Sequence, residues 1–177
     1  MTIARHNIFV LICFTVLSVL IATPAQAAPK GQSFAGAGVG FEVLTNGGSG
    51  TGFYTTALGG YQFNDTNFGL GLHVGYSNVG GVGIKVLDFG AFAQYLDDVS
   101  GMYGRLYVDG IHGSTADGKR RNGVDGRETT AAVGTGLGLL IPSAGSFHLV
   151  PEVTYRLAFF KEQVHLIAGT FGVQWDF

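Results

Sequence analysis

His112-Gly113-Ser114 is the segment of this chain whose residue types come nearest to covalent chemistry. A serine hydroxyl becomes a nucleophile when an imidazole within hydrogen-bond reach takes its proton and an acid orients that imidazole. His112 and Ser114 stand two residues apart, so an extended backbone puts both on one face, with Glu128 as the acid placed to join them. A second group is cationic. Lys119, Arg120, Arg121 and Arg127 make one stretch basic in an otherwise acidic chain, and guanidinium groups bind phosphate or sulfate bidentately. The same stretch holds Asp117, Asp125 and Glu128, so a solvated loop with balanced charge is the plainer reading. A third group, Glu42, Asp88, Arg105, Asp109, Glu152 and Arg156, sits on strand faces opposite apolar residues. His73, His148 and His165 lack the spacing of a metal site, and the single cysteine, Cys13, supplies no partner ligand. Gly134-x-Gly136-x-Gly138 is followed by no helix, which removes a dinucleotide loop. No metal or cofactor is expected.

The elements that position these residues have a period of two, without a 3.6-residue stripe. Eight strands are expected, over about Ser33–Leu44, Phe53–Phe63, Phe68–Ser77, Ile84–Leu96, Met102–His112, Thr130–Ile141, Phe147–Phe159 and Val164–Phe177. The third alternates most cleanly: Phe68, Leu70, Leu72, Val74 and Tyr76 against Gly69, Gly71, His73, Gly75 and Ser77. On the other strands the face opposite the apolar one carries glycine rows, the six ionisable residues named above, and Gln94, His148 and Gln174. Pro151 removes one ladder donor and marks a local irregularity. Short turn-rich links (63–67, 97–101, 142–146) alternate with the other four connections, of which Gly113–Arg127 is by far the longest.

Residues 1–27 read as a cleaved export signal: Arg5, an apolar run from Ile8 to Ile21, and Ala25-Gln26-Ala27 before the expected cleavage at Ala28. That run is short of the roughly 20 residues a spanning helix needs. Losing Arg5 takes the ten Lys/Arg to nine against twelve Asp/Glu, a net of −3, which suggests no nucleic-acid partner. Charged residues are 12% of the chain, and thirty glycines stand beside 14 Phe, 7 Tyr and one Trp. That composition is odd for a water-soluble fold, in which about a quarter of residues are charged. In hydrocarbon every backbone N–H and C=O must be paired internally, so strands cross only as a closed sheet. The fold expected is therefore all-β: a closed antiparallel eight-stranded transmembrane barrel, an up-and-down meander over residues 28–177. Its interior is just wide enough for side chains to fill. The glycine rows either make room for long inward side chains or ease the bending of the sheet. The six inward ionisable residues are expected to pair as a structural polar network that plugs the lumen.

Phe171, Val173, Trp175 and Phe177 share one face of the last strand. With the export signal and the eight strands, this ending resembles the small outer-membrane barrels of the OmpA, OmpX and Opa type. The resemblance implies that these four residues act as the signal read by the outer-membrane assembly machinery. It implies an integral outer-membrane address, with membrane lipid, lipopolysaccharide or a host or extracellular ligand as partners, the basic loop supplying the contact. Members serve as anchors, adhesins and invasion or resistance factors, and some are lipid-modifying enzymes. Most of the loops here are short, unlike those of Opa-like adhesins. A lipid A deacylase of eight-stranded fold uses a His-x-Ser pair with a nearby Glu. Here Thr115 follows Ser114 where that enzyme has Asn, and three strands remain rather than the pair lying in the last two. The reading is a non-enzymatic envelope-structural or surface-interaction barrel. The alternatives are a narrow channel, a lipid A-modifying enzyme using His112, Ser114 and Glu128, and a secreted soluble barrel for small apolar ligands.

Overall fold

The computed structural model describes residues 31–46, 49–64, 66–80 and 83–177; the expected export signal at 1–27 lies outside them. The two-residue alternation yields strands β1 (Gln32–Thr45), β2 (Ser49–Gln62), β3 (Phe68–Val79), β4 (Ile84–Leu96), β5 (Met102–Thr115), β6 (Arg127–Leu139), β7 (Ile141–Pro142), β8 (Phe147–Phe159) and β9 (Gln163–Asp176). Chain neighbours other than β6 and β7 pair antiparallel, β1 also pairs with β9, and β6 with β8, so the sheet closes on itself. β7 continues β6 in the same register, since Gly138 faces Glu152 and Ile141 faces Leu149. The gap between them lies beside Pro151, which has no N–H to donate to the ladder. β6 and β7 are therefore one stave, and the barrel has eight.

The strands outrun the sequence expectation at one end. Thr45 pairs with Ser49, so β2 begins four residues before Phe53, and β5 continues past His112 to Thr115. Gly50 and Gly52 carry no apolar alternation, but backbone pairing alone maintains a ladder. The long connection shrinks to residues 116–126. Three tight turns and both described chain ends lie at the opposite end, called here the turn end; the loops define the loop end.

Every outward side chain of the expected apolar faces is on the barrel's exterior, and many are largely exposed: Phe41 (71%), Leu72 (68%), Leu106, Val108, Leu137 and Val153. Near the turn end the exterior becomes an aromatic collar. Phe68 packs edge-on against Tyr95 at 5.3 Å, Tyr61 against Phe63 at 5.7 Å, and Trp175 contacts both Phe147 and Phe177. Such rings concentrate at membrane–water boundaries, where an apolar body and a polar tip meet different solvents. The glycine rows face crowded space, filled at some positions by neighbouring backbone and at others by the polar network. A Cβ on Gly36 would meet the Val173 carbonyl oxygen at 2.9 Å, so backbone proximity excludes a side chain there. A Cβ on Gly136 would meet a carboxylate oxygen of Glu152 at 2.6 Å, so that glycine makes room for the network within.

Candidate functional site

Strand parity sends Glu42, Asp88, Arg105, Asp109, Glu152 and Arg156 into the lumen, all of them buried. They form three groups. In the first, Arg156 from β8 reaches across to β4 and β5, with Nη1 2.9 Å from Asp88 Oδ2 and Nε 3.5 Å from Asp109 Oδ2. His73 on β3 lies between the same two acids, its Nε2 2.7 Å from Asp109 Oδ1 and its Nδ1 3.3 Å from Asp88 Oδ1. The Arg156 guanidinium also donates to the Tyr54 hydroxyl at 2.7 Å, and that hydroxyl donates to Asp88 at 3.3 Å. In the second group Glu152 is the acceptor. Arg105 donates to it at 2.6 Å, Tyr103 at 2.7 Å and Tyr107 at 2.5 Å. Arg105 also donates through Nε to Gln94, and its guanidinium lies over the Tyr103 and Phe92 rings. Glu42 stands apart from both and accepts from the Ser77 hydroxyl at 2.5 Å. Beside these groups a void of about 20 Å³ among Gly36, Gly38, Thr56, Thr170 and Gly172 has room for about one water.

The tyrosines and Ser77 join the network as neutral members, which residue charge alone does not mark. Their signal is parity: Tyr103, Arg105, Tyr107 and Asp109 are successive inward positions of one strand.

Toward the loop end the lumen changes character. Leu44, Val79, Ile84, Val86, Ile111, Val124, Ala132, Ala158, Phe160, Val164 and Leu166 form one buried apolar cluster. Val124 comes from the long loop, which doubles back on itself. Arg121 and Val124 exchange two backbone hydrogen bonds of 2.9 Å across Asn122 and Gly123, both with positive φ. Asn-Gly is the pair that accepts this tight turn most readily. The loop thereby drops its one branched apolar side chain into the barrel mouth.

Ion pairs fasten the loop above that plug. Arg120 pairs with Glu162 of the β8–β9 connection, Lys161 with Asp125 at 2.5 Å, and Arg121 with Asp117 at 2.7 Å. The hydrogen bond from Arg121 holds the Asp117 carboxyl below its ordinary range, and that from Lys161 does the same for Asp125. Of the four basic residues expected to meet an anion, Arg120 and Arg121 are thus engaged within the protein. Lys119 and Arg127 have no ion-pair partner among the described residues.

The nucleophile constellation does not assemble. His112 and Ser114 do share the exterior face of β5, but Gly113, which points inward, is the residue opposite Glu128. Glu128 therefore lies on the other face of the sheet, where a carboxylate oxygen accepts from the Asp125 backbone N–H at 3.4 Å. His112 is instead bonded to the Thr129 hydroxyl at 2.9 Å. Among the described residues no group of His, Cys, Asp and Glu is arranged to hold a metal. Phe171, Val173, Trp175 and Phe177 all lie on the exterior at or below the middle of β9 and beyond its end.

No family model matches the chain, and no curated protein does. Solved structures do match. Neisserial surface protein A is 17% identical with a TM-score of 0.68, over 82% of this chain and 97% of that one. The attachment invasion locus protein Ail of Yersinia pestis is 16% identical with a TM-score of 0.55, over 84% of this chain and 100% of that one. The N-terminal barrel domain of Pseudomonas aeruginosa OprF gives 16% and 0.54 over the same shares. With the closed meander, these likenesses establish that the chain has the fold of the small eight-stranded outer-membrane β-barrels.

Proposed function

We propose that the protein is an integral outer-membrane barrel that acts without catalysis or conduction, stabilising the envelope or contacting other molecules through its loop end. The observation that carries this reading is the inversion of the molecule: apolar side chains outside, and a lumen filled with paired charges and an apolar plug. Hydrocarbon is the solvent that suits such an exterior, because a large contiguous apolar surface in water is an aggregation liability. A filled lumen leaves no continuous path for ions. Residues 1–27 act as the export signal, cleaved before Ala28, and the outward apolar residues Phe171, Val173, Trp175 and Phe177 serve as the signal for the outer-membrane assembly machinery. At the surface, Lys119, Arg120, Arg121 and Arg127 supply the cationic character that an anionic lipid or an extracellular glycan would meet.

Fractionation combined with gel mobility before and after boiling tests the proposal. The mature protein is expected in the outer membrane, migrating as a compact form until heated, with no unit conductance in planar bilayers. Recovery in the soluble periplasm would overturn the location, and stepwise conductance would overturn the sealed lumen. Purified protein incubated with lipid A is expected to leave every acyl chain in place by mass spectrometry.

A further inference from the structure

The register of the exterior brings together residues that are far apart in the chain. Asn78 faces Lys85, Lys85 faces Ser114, and Ser114 faces Arg127, so the four form one row across β3, β4, β5 and β6. All four are on the outward face. Neighbouring strands lie about 4.8 Å apart, which puts the backbones of Lys85 and Arg127 roughly 10 Å from each other with a hydroxyl between them. Neither cation has an ion-pair partner among the described residues, in contrast to Arg120, Arg121 and Lys161.

The rows nearer the turn end state what lies alongside. The next one is Tyr76, Leu87, His112 and Thr129, with the last two hydrogen-bonded to each other. The one after it is Val74, Phe89, Gly110 and Ala131, wholly apolar. Polarity therefore falls from a cationic row, through one mixed row, to a hydrocarbon surface over four residues, about 13 Å along the strands. A free anion in water has no need of that gradient; an amphiphile has.

We propose that Lys85, Ser114 and Arg127, with Asn78 at the edge, form a lateral site for the phosphate of an outer-leaflet glycolipid whose acyl chains run down over Phe89, Val74 and Ala131. The inference rests on the outer-membrane reading above and moves the anion contact from the loop tip to the barrel wall. Lysine and arginine converge on the phosphate oxygens, the Ser114 hydroxyl donates a third hydrogen bond, and the apolar rows bury the chains. Neutralising both cations removes the charge-assisted bonds while leaving the apolar contact.

The test uses full-length mature protein folded in phosphatidylcholine vesicles containing either bisphosphorylated or dephosphorylated lipid A bearing a fluorescent label, with energy transfer from Trp175 or an added donor as readout. Heat-modifiable mobility of each sample is measured separately, so that failure to form a barrel is distinguished from failure to bind. Wild type is expected to enrich the phosphorylated lipid by about tenfold over the dephosphorylated one. K85Q/R127Q is expected to lose that preference, K85R/R127K to keep it, and R120Q/R121Q to keep it. A wild type without preference, a preference that survives K85Q/R127Q, or an equal loss in R120Q/R121Q overturns the site. Displacement of the lipid by inorganic phosphate or by heparin overturns its assignment to a membrane lipid.

Discussion

Two regions of the lumen are sealed by opposite means. Toward the loop end, Leu44, Ile84, Ile111, Val124 and Leu166 fill the space by dispersion and exclusion of water. Below that plug, Arg156, Arg105, His73 and three tyrosines fill it by pairing with carboxylates, with Ser77 on Glu42 and Gln94 on Arg105. Apolar residues such as Phe34, Phe92, Leu96 and Val150 return toward the turn end. Both fillings lie behind the same kind of wall. What differs is how each fails. An apolar filling loses energy in proportion to the volume removed, whereas a paired charge that loses its partner is left buried and uncompensated.

That contrast can be broken most directly at Arg156. Arg156→Ala strips the guanidinium shared by Asp88, Asp109 and Tyr54, and is expected to cost about 3–5 kcal/mol. Urea titration of the folded fraction in vesicles, read by heat-modifiable mobility, measures it; a loss below about 1 kcal/mol would mean the lumen is wet enough to solvate the acids. The apolar plug is probed by Ile111→Ala, at about 2–5 kcal/mol in the same assay, with Ile111→Val costing about 0.5–1.5 kcal/mol. A graded response there beside an abrupt one at Arg156 sharpens the comparison. The smallest effect is expected outside the lumen, where Arg120→Ala at the half-exposed pair with Glu162 should cost less than about 1 kcal/mol. The fastening of the loop has a pH signature as well. Asp117 and Asp125 titrate below their ordinary 3.8, so their ion pairs are complete at neutral pH and are lost as pH falls below that value. Proteolysis within residues 116–126 is expected to accelerate only under such acid conditions.

The exterior was legible because one rule, an apolar side chain, governs most outward positions: Phe68, Leu70, Leu72, Val74 and Tyr76 obey it, and exceptions such as Asn78, Lys85, Ser114 and Arg127 gather at the loop end. The interior follows no such rule. Inward positions are glycine at Gly75, aromatic at Tyr107 and charged at Asp109, since each is chosen by what stands across the lumen. Parity could assign Tyr54 and Tyr103 inward, but not name Arg156 or Glu152 as their partners, which come from distant strands. The same limit governed His112, Ser114 and Glu128. Their residue types suit a charge relay, yet one step of register places the acid behind the sheet. Val124 is a single apolar residue in a polar, glycine-rich segment, and its burial follows from the Asn122–Gly123 turn closing over an open mouth.

Alternation of side chains along the backbone is a local property, so the amino-acid order alone determined the number of staves, their approximate limits and the face each residue presents. Which inward groups meet, how the mouth is closed, and that Lys85 stands two strands from Arg127 were decided by the closure and stagger of the sheet. Those are relations between segments remote in the chain, and no local period encodes them.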